Sequence, residues 1–141
     1  MRDGYVLRKG YQEDERARNS FNRLAGQIFG LDFENWYQNG YWKNNYIPYS
    51  ILKEGEVLAN VSVSPMVFRE NGVQRYYIQL GTVMTSKACR NQGLIRQLME
   101  EIQRDYKKRR KAGFYLPMKV YWTFIRSLVS GGQMNLNMKR T

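Results

Sequence analysis

The residues best suited to chemistry are Arg90, Asn91, Gln92 and Gly93, which follow a strand-like run and begin a helix-like one. The first turn of a helix carries backbone N–H groups without partners, and the helix dipole adds about half a positive charge there. Gly93 has no Cβ to keep a phosphate from the backbone, and Arg90 supplies a fixed cation. The spacing therefore predicts an anion site at the start of this helix.

The setting of this motif decides between a binding site and an ordinary helix start, which is the commoner meaning of an isolated Arg-x-x-Gly. The run from Ile78 to Thr85 predicts a strand that ends directly before the motif. The apolar spacing from Leu94 to Tyr106 predicts an amphipathic helix directly after it. A strand, a short loop and a helix that begins with arginine and glycine favour the binding site.

Side chains near the motif have structural interpretations that we prefer to chemical ones. Cys89 lies beside the expected positive field, which could acidify its thiol, but a small, half-buried packing residue is the commoner role. Glu34 could accept a proton from an ammonium group, although a solvated carboxylate at a helix end is the simpler interpretation. The hydroxyl residues Thr82, Thr85 and Ser86 are expected to end the strand first and to bind a ligand second.

The rest of the chain predicts the elements that must position the motif. Alternation of apolar and polar residues predicts four strands, at Tyr5–Arg8, Tyr46–Lys53, Glu56–Arg69 and Val73–Thr85. Helical spacing predicts helices over Glu13–Phe29, with Gly30 as C-cap, and over Asn91–Arg110, with a short aromatic helix within Asp32–Trp42. Turns are expected at Glu54-Gly55 and Asn71-Gly72, and Pro65 indicates a bulge or an edge position.

The motif and the order of these elements resemble the GCN5-related N-acetyltransferase (GNAT) superfamily. The acetyl-CoA motif of that family, Arg/Gln-x-x-Gly-x-Gly/Ala, is similar to Arg90-Asn91-Gln92-Gly93-Leu94-Ile95. Ile95 departs from the pattern and leaves less room beside a pyrophosphate. The run Arg-x-x-Gly-Leu-x-Arg is similar to that of the "enhanced intracellular survival" branch, which acetylates aminoglycosides and has a larger residue at that position. The resemblance covers Tyr5 to Tyr106 in element order.

The resemblance implies a fold, a co-substrate and a set of contacts. The fold is α/β, a mostly antiparallel central sheet with flanking helices, incomplete at the C-terminus. Acetyl-CoA is the co-substrate, and an amine-bearing acceptor enters from the side of residues 33–42. The amine attacks the thioester directly, so no enzyme nucleophile is needed and no catalytic residue is assigned. The backbone pairs with the pantetheine arm, polarises the thioester carbonyl and holds the pyrophosphate; these contacts are assigned to Val83, Met84, Thr85, Asn91, Gln92, Gly93, Leu94 and Ile95.

Composition excludes several other kinds of site. The chain has no histidine, which removes Ser-His-Asp and Cys-His nucleophile schemes and every His-ligated metal site. The single cysteine excludes an internal disulfide and a zinc ribbon. No apolar run approaches the roughly 18–20 residues needed to cross a bilayer, and Met1 to Gly10 lacks the apolar stretch of a signal peptide. We therefore expect a cytoplasmic protein without metal.

The positive charge is concentrated in the last quarter of the chain. The net charge is +11, yet residues 107–141 hold nine lysines and arginines and no acidic residue. This contrast predicts a core over residues 1–106 and a basic, poorly ordered tail over residues 107–141. Two other functions remain open. The tail could bind nucleic acid through Lys107–Lys111 with stacking aromatics, or the core could bind coenzyme A without catalysis.

The tail lacks the family's closing pattern, in which an asparagine contacts coenzyme A and a later tyrosine protonates the departing thiolate. Regrouping permitted codons from Tyr115 onward by one nucleotide restores a string with the family's Phe-Tyr-x-x-Phe-Gly-Phe signature. Some regroupings are nearly forced, since Trp122-Thr123 must then give aspartate. We expect a shift of reading frame near Lys107–Lys111, and with it weakened cofactor binding and poor turnover in this chain.

Overall fold

The protein was analysed as a computed structural model that describes residues 2–109. The predicted basic tail, apart from the three residues 107–109 that close the last helix, lies outside this range. The frameshift hypothesis and the aromatic residues proposed to stack on nucleic acid fall outside it as well.

Four antiparallel strands form a single sheet in chain order, as the α/β expectation requires. The strands are β1 (Tyr5–Lys9), β2 (Ile47–Lys53), β3 (Glu56–Glu70) and β4 (Val73–Thr85). Each agrees with its predicted range to within one residue at either end. The agreement follows from tight turns, because Glu54-Gly55 and Asn71-Gly72 all have positive φ, the backbone that short hairpins need.

Helices cover both faces of this sheet. They are α1 (Glu15–Phe29), the short α2 (Glu34–Gln38) and α3 (Leu94–Arg109). One face packs its apolar residues, among them Ile51, Val61 and Leu80, against α3. The other face packs Leu52, Val57 and Met84 against α1 and the aromatic residues that follow it. The core therefore has two layers, with the sheet between them.

The ends of the helices differ from their predicted positions for local reasons. Helix α1 begins two residues after the predicted Glu13, because Asp14 is its N-cap and accepts a hydrogen bond from the Ala17 amide at 3.3 Å. Gly30 caps its C-terminus in the left-handed conformation, as predicted. Helix α3 begins three residues after the predicted Asn91, because Asn91 and Gly93 both have positive φ and so cannot continue a helix.

Pro65 occupies an edge position and not a bulge. Strand β2 pairs with β3 only as far as Val63, so Pro65 has a partner on the β4 side alone. The bulges lie elsewhere: Leu58 is the extra residue between β2 and β3, and a second bulge interrupts β4. The prediction of a bulge or an edge position at Pro65 is thus confirmed by the edge position.

Two further findings concern the described part of the chain. None of its helices is long and apolar enough to span a membrane. Within residues 2–109, no group of three or more cysteine, aspartate or glutamate side chains could hold a metal ion.

Candidate functional site

The bulge in β4 lies three residues before the strand ends. Met84 pairs with Asn60 and Gly81 pairs with Ser62, so that Thr82 and Val83 together oppose Val61. Thr82 has a φ of +47°, which is a rare conformation for a β-branched residue. Such a conformation costs on the order of 1–3 kcal/mol and persists only where the surroundings impose it.

After the bulge, each residue of β4 faces the side of the sheet opposite to the one that strict alternation would give it. Strict alternation would place Leu80 and Met84 on the same face, but the extra residue places Leu80 and Val83 together in the core under α3. Met84 instead packs in the core under α1. Val83 and Met84 are thus both buried, and Thr85 is half-buried at the end of the strand. Their side chains are occupied by packing, so only their backbone is left to meet a ligand.

Two side chains hold Thr82 in its unusual conformation. The Asn60 Nδ2 donates a hydrogen bond to the Thr82 carbonyl oxygen at 2.9 Å. The Tyr46 hydroxyl makes a short hydrogen bond with the Thr82 hydroxyl. Asn60 has no exposed surface, and burial raises the pKa of the Tyr46 hydroxyl still further above neutral pH.

Asn60 belongs to a buried polar chain that the sequence analysis missed. Its Oδ1 accepts a hydrogen bond from Ser50 Oγ at 2.7 Å, and Ser50 Oγ lies 2.7 Å from the Tyr11 hydroxyl. Its Nδ2 also donates to Ser62 Oγ at 2.9 Å. Alternation along β3 places Asn60 and Ser62 on the face opposite Val61 and Val63, and α1 and its aromatic neighbours cover that face as well. Polar residues that occupy neighbouring positions on two adjacent strands were the signal for such a chain.

The start of α3 is open. The Gln97 amide donates to the Gly93 carbonyl at 3.1 Å, which closes the first turn. Asn91 and Gly93 have φ values of +65° and +72°, and a Cβ at Gly93 would meet nothing within 4 Å. Across residues 2–109, no side chain accepts a hydrogen bond from the amides of this first turn, and the turn contains no acidic residue. Within the described range, the first turn of α3 therefore has no side-chain cap for its amides.

Positive charge surrounds this open turn. Lys87, Arg90 and Arg96 are exposed and have no ion-pair partner within the described range. No acidic residue occurs from Ser86 to Met99. Arg90 was predicted as a ligand; Lys87 and Arg96 were not, although the absence of acids was visible in the sequence. The segment is thus suited to a ligand with several negative charges.

The other predicted ligands of the first turn have structural contacts of their own. Gln92 is half-buried, and its Oε1 accepts a hydrogen bond from the Tyr5 hydroxyl at 3.2 Å, which ties the loop to β1. Leu94 is buried in the core, and Ile95 is half-buried and packs against the same cluster. For Leu94 and Ile95, as for Val83 and Met84, the side chain serves the core.

Cys89 has the packing role that the sequence predicted, whereas Glu34 is an ion-pair partner and not the solvated carboxylate at a helix end that was expected. Cys89 is 8% exposed and packs in the core under α3. The Glu34 carboxylate accepts a hydrogen bond from Arg18 Nε at 2.7 Å, and the Arg18 guanidinium lies 3.7 Å from the centre of the Tyr37 ring. Glu34, whose side chain is 30% exposed, is thus held in a partly buried ion pair, in which it neutralises Arg18.

An aromatic cluster adjoins the bulge. Its members are Phe21, Phe33, Trp36, Trp42 and Tyr46, whose ring centres lie 5.3 to 6.4 Å apart in each contacting pair. Tyr46 joins the cluster to Thr82 through its hydroxyl. The segment predicted to face the acceptor is therefore next to the bulge.

Comparison with known proteins gives a fold. No protein-family model matches the chain, and no curated protein sequence matches it. Solved structures do match it. A probable N-acyltransferase from Enterococcus faecalis is 18% identical with a TM-score of 0.63, covering 75% of this chain and 27% of its own. An aminoglycoside acetyltransferase from an uncultured soil metagenomic sample is 17% identical with a TM-score of 0.59, covering 80% and 74%.

A third structure carries the family name that the motif suggested. A GCN5-related N-acetyltransferase from Ralstonia eutropha is 14% identical with a TM-score of 0.56, and the match covers 86% of each chain. The chain spans about a quarter of the length of the Enterococcus protein and most of the length of the other two. The described residues therefore have the fold of the GCN5-related acetyltransferases.

Proposed function

We propose that this chain is an acetyl-CoA-dependent N-acetyltransferase that works in the cytoplasm and transfers an acetyl group directly to an amine. One observation carries the proposal: among the described residues, a cation-rich helix start without a side-chain cap follows the bulged end of an edge strand after a single loop, residues 86–93. An N-terminal helix turn with free amides is a binding site for phosphate. A strand without a neighbour on one side offers backbone groups to an extended ligand.

The residues at the start of α3 fit the diphosphate of coenzyme A. The amides of Gln92 to Ile95 supply several donors in one turn, and Arg90 supplies a cation at its entrance. The open space beside Gly93 admits a bulky anion close to the backbone. We assign the pyrophosphate to this turn, with Lys87 and Arg96 as additional cations in its field.

The end of β4 fits the pantetheine arm and the thioester. Strand β4 lies at the edge of the sheet, with β3 as its one partner among the described strands. The backbone of Val83, Met84 and Thr85 therefore has an outer side on which the amide groups of pantetheine can pair. The Val83 amide belongs to the bulge, whose extra residue is left outside the regular pairing. We assign it to the thioester carbonyl, which it would polarise.

The reaction needs no nucleophile from the protein. The acceptor nitrogen forms a bond with the thioester carbon as the C–S bond breaks. The nitrogen loses one proton and the sulfur gains one, and the Val83 amide stabilises the charge that develops on the carbonyl oxygen. A chain without histidine can perform this chemistry, because orientation and polarisation supply the acceleration.

The acceptor side of the site is the aromatic cluster. We place the amine beside Tyr46, on the side of the aromatic cluster, where aromatic faces favour its ammonium form until it releases a proton to solvent and attacks as the neutral amine. An aminoglycoside is an acceptor of this kind, and the similarity to the enhanced intracellular survival branch supports it. Other amines with an accessible primary amino group fit the same surface.

The end of the chain bears on how active this polypeptide is. We hypothesise that residues after the Lys107–Lys111 region are read out of frame, so the family's late asparagine and tyrosine are missing. Affinity and turnover are then lower than for the in-frame product. Reading the gene across codons 105–112 tests this: an intact frame with unrelated alternative codons contradicts it.

Calorimetric titration with acetyl-CoA and with coenzyme A tests the proposed function. We expect binding of both, followed by thiol release when a panel of amines is added. Binding without thiol release for any amine, in this chain and in the frame-corrected protein, would indicate a coenzyme-binding domain without catalysis. No binding of either compound, together with salt-dependent binding of duplex DNA, would overturn the proposal in favour of nucleic acid.

A further inference from the structure

We propose that Asn60 is a positioning residue of the transfer reaction: it fixes the peptide group between Thr82 and Val83 and so aims the Val83 amide at the acyl carbonyl. This inference rests on the proposed function, whose site it deepens. Asn60 belongs to no motif, lies 22 residues before Thr82, and acts through the backbone without touching the ligand.

The geometry of one peptide group carries the first step. In a trans peptide the C=O and the following N–H point in opposite directions within one plane, and the described chain has no cis peptide. The Thr82 carbonyl oxygen accepts from Asn60 Nδ2 at 2.9 Å, and Asn60 lies on β3. The Val83 N–H therefore points away from the Asn60 side-chain amide, and we infer that it faces the open side of β4. This is the side on which the acyl carbonyl is expected.

The backbone of Thr82 carries the second step. A β-branched residue at a φ of +47° does not hold that conformation by itself. The Asn60 bond to its carbonyl and the Tyr46 bond to its hydroxyl oppose the relaxation from two sides. Without Asn60, residue 82 can return to an extended φ, and the Val83 N–H then turns with the peptide plane.

The fixed orientation of Asn60 itself carries the third step. Its Oδ1 accepts from Ser50, whose hydroxyl is bonded to Tyr11, and its Nδ2 donates to both Ser62 and Thr82. A side-chain amide with both ends bonded has one orientation, and this one is fully buried. The hydrogen bonds that link Tyr11, Ser50 and Asn60 thus fix the direction in which the Asn60 side-chain amide points.

The same contacts also satisfy buried polar groups. The test must therefore separate an effect on the orientation of the Val83 amide from an effect on the stability of the fold. The variant is Asn60→Ala, with Asn60→Ser as a smaller change that keeps a hydroxyl near Ser50 but is too short to reach Thr82. The control is Ser20→Ala, because Ser20 is also buried and hydrogen-bonded, to Glu56 and to the Val57 amide, but lies away from the bulge.

Two measurements are made on each folded variant. The first is the backbone φ of residue 82 by NMR, which needs no ligand. We expect it to leave the left-handed region in the Asn60 variants and to remain there in Ser20→Ala. The second is the ratio of the affinities for acetyl-CoA and for coenzyme A. We expect this ratio to fall about tenfold in the Asn60 variants, on the scale of losing one hydrogen bond to a polar group, with affinity for coenzyme A within twofold of the parent.

A rescue makes the test stricter. Glycine adopts a positive φ without cost, so adding Thr82→Gly to Asn60→Ala should restore much of the ratio. An unchanged φ at residue 82, or an unchanged ratio in both Asn60 variants, overturns the inference while leaving the proposed function intact. Failure of the parent protein to bind either compound overturns the proposed function, and the φ measurement still decides whether Asn60 holds the bulge.

Discussion

The two long helices of this protein begin in opposite ways. The start of α1 is closed by the protein itself: Asp14 caps the Ala17 amide and pairs with Arg8 at 2.9 Å. The start of α3 has no such cap among the described residues, and its cations Arg90 and Arg96 have no acidic partner there. The start of α1 has an aspartate, Asp14, whereas the start of α3 has arginine and glycine, Arg90 and Gly93.

A helix start with a structural role and one with a binding role differ in which group accepts the hydrogen bonds of the first-turn amides. Free amides in a first turn are unfavourable unless water, a side chain or a ligand accepts their hydrogen bonds. At α1 the Asp14 carboxylate accepts such a hydrogen bond, and this bond contributes to the stability of the fold. At α3 no side chain of the described residues accepts these donors, and positive charge lies close to them in the chain, which is the arrangement that the proposed site requires. Changes at the two starts should therefore affect different properties.

The largest effect is expected from Gly93→Val. Position 93 has a φ of +72°, which valine resists, and its side chain would enter the open space that we assign to the diphosphate. Affinity for coenzyme A should fall ~100-fold or more, the scale of losing several charge-assisted hydrogen bonds. Titration calorimetry measures it.

The matched control for Gly93→Val is Gly72→Val, at the tip of the β3–β4 hairpin. Gly72 has a similar φ of +77°, and a Cβ there also meets nothing within 4 Å. The two variants should lose similar stability in thermal unfolding, whereas Gly72→Val should bind coenzyme A as the parent does. Equal loss of affinity in both would mean that backbone strain, and not the site, is responsible.

A smaller effect on the same side of the comparison is expected from Arg90→Ala. Removing a cation that donates to a phosphate should weaken binding of coenzyme A by roughly 1–3 kcal/mol. The loss should shrink as salt is added, because an exposed charge is screened. Arg69→Ala, which removes an exposed arginine from the hairpin, serves as the control and should leave the affinity unchanged. An affinity that Arg90→Ala does not alter would remove Arg90 from the site.

Ile95→Ala separates the backbone of the open turn from its side chains. Ile95 occupies the motif position where the family has a small residue, but its side chain packs against the core under α3. We expect a lower melting temperature from the lost packing and little change in affinity for coenzyme A. A clear gain in affinity would instead show that Ile95 crowds the ligand.

The smallest effect is expected at the closed start, from Asp14→Asn. The hydrogen bond from Arg8, aided by the Ala17 amide, holds the pKa of Asp14 below its ordinary value of 3.8. A lowered pKa contributes stability that is present above that value and is lost as pH falls through the lower folded pKa. The parent should thus lose more stability than the variant between neutral pH and pH values below 3.8, measured by urea unfolding. Affinity for coenzyme A should be the same in both, since α3 is untouched.

How far the sequence predicts this molecule depends on how local each feature is. The strands and their turns follow from alternation and from residues such as Asn71 and Gly72, so they were predicted to within one residue. An anion site at the start of α3 was also predicted, because Arg90 and Gly93 are close together in the chain, and it stays a prediction. The left-handed Thr82 was not, since its conformation is imposed by Asn60 and Tyr46 from other parts of the chain. Alternation along a strand also does not show whether helices cover one face of the sheet or both faces, as they do here.

A crystal structure of the protein with coenzyme A would show whether the first turn of α3 holds the diphosphate. We expect the diphosphate within hydrogen-bond distance of the amides of residues 92–95, with Arg90 beside it and the pantetheine arm along the outer side of β4. A diphosphate bound elsewhere, with the first turn of α3 empty or capped by one of the protein's own side chains, would contradict it.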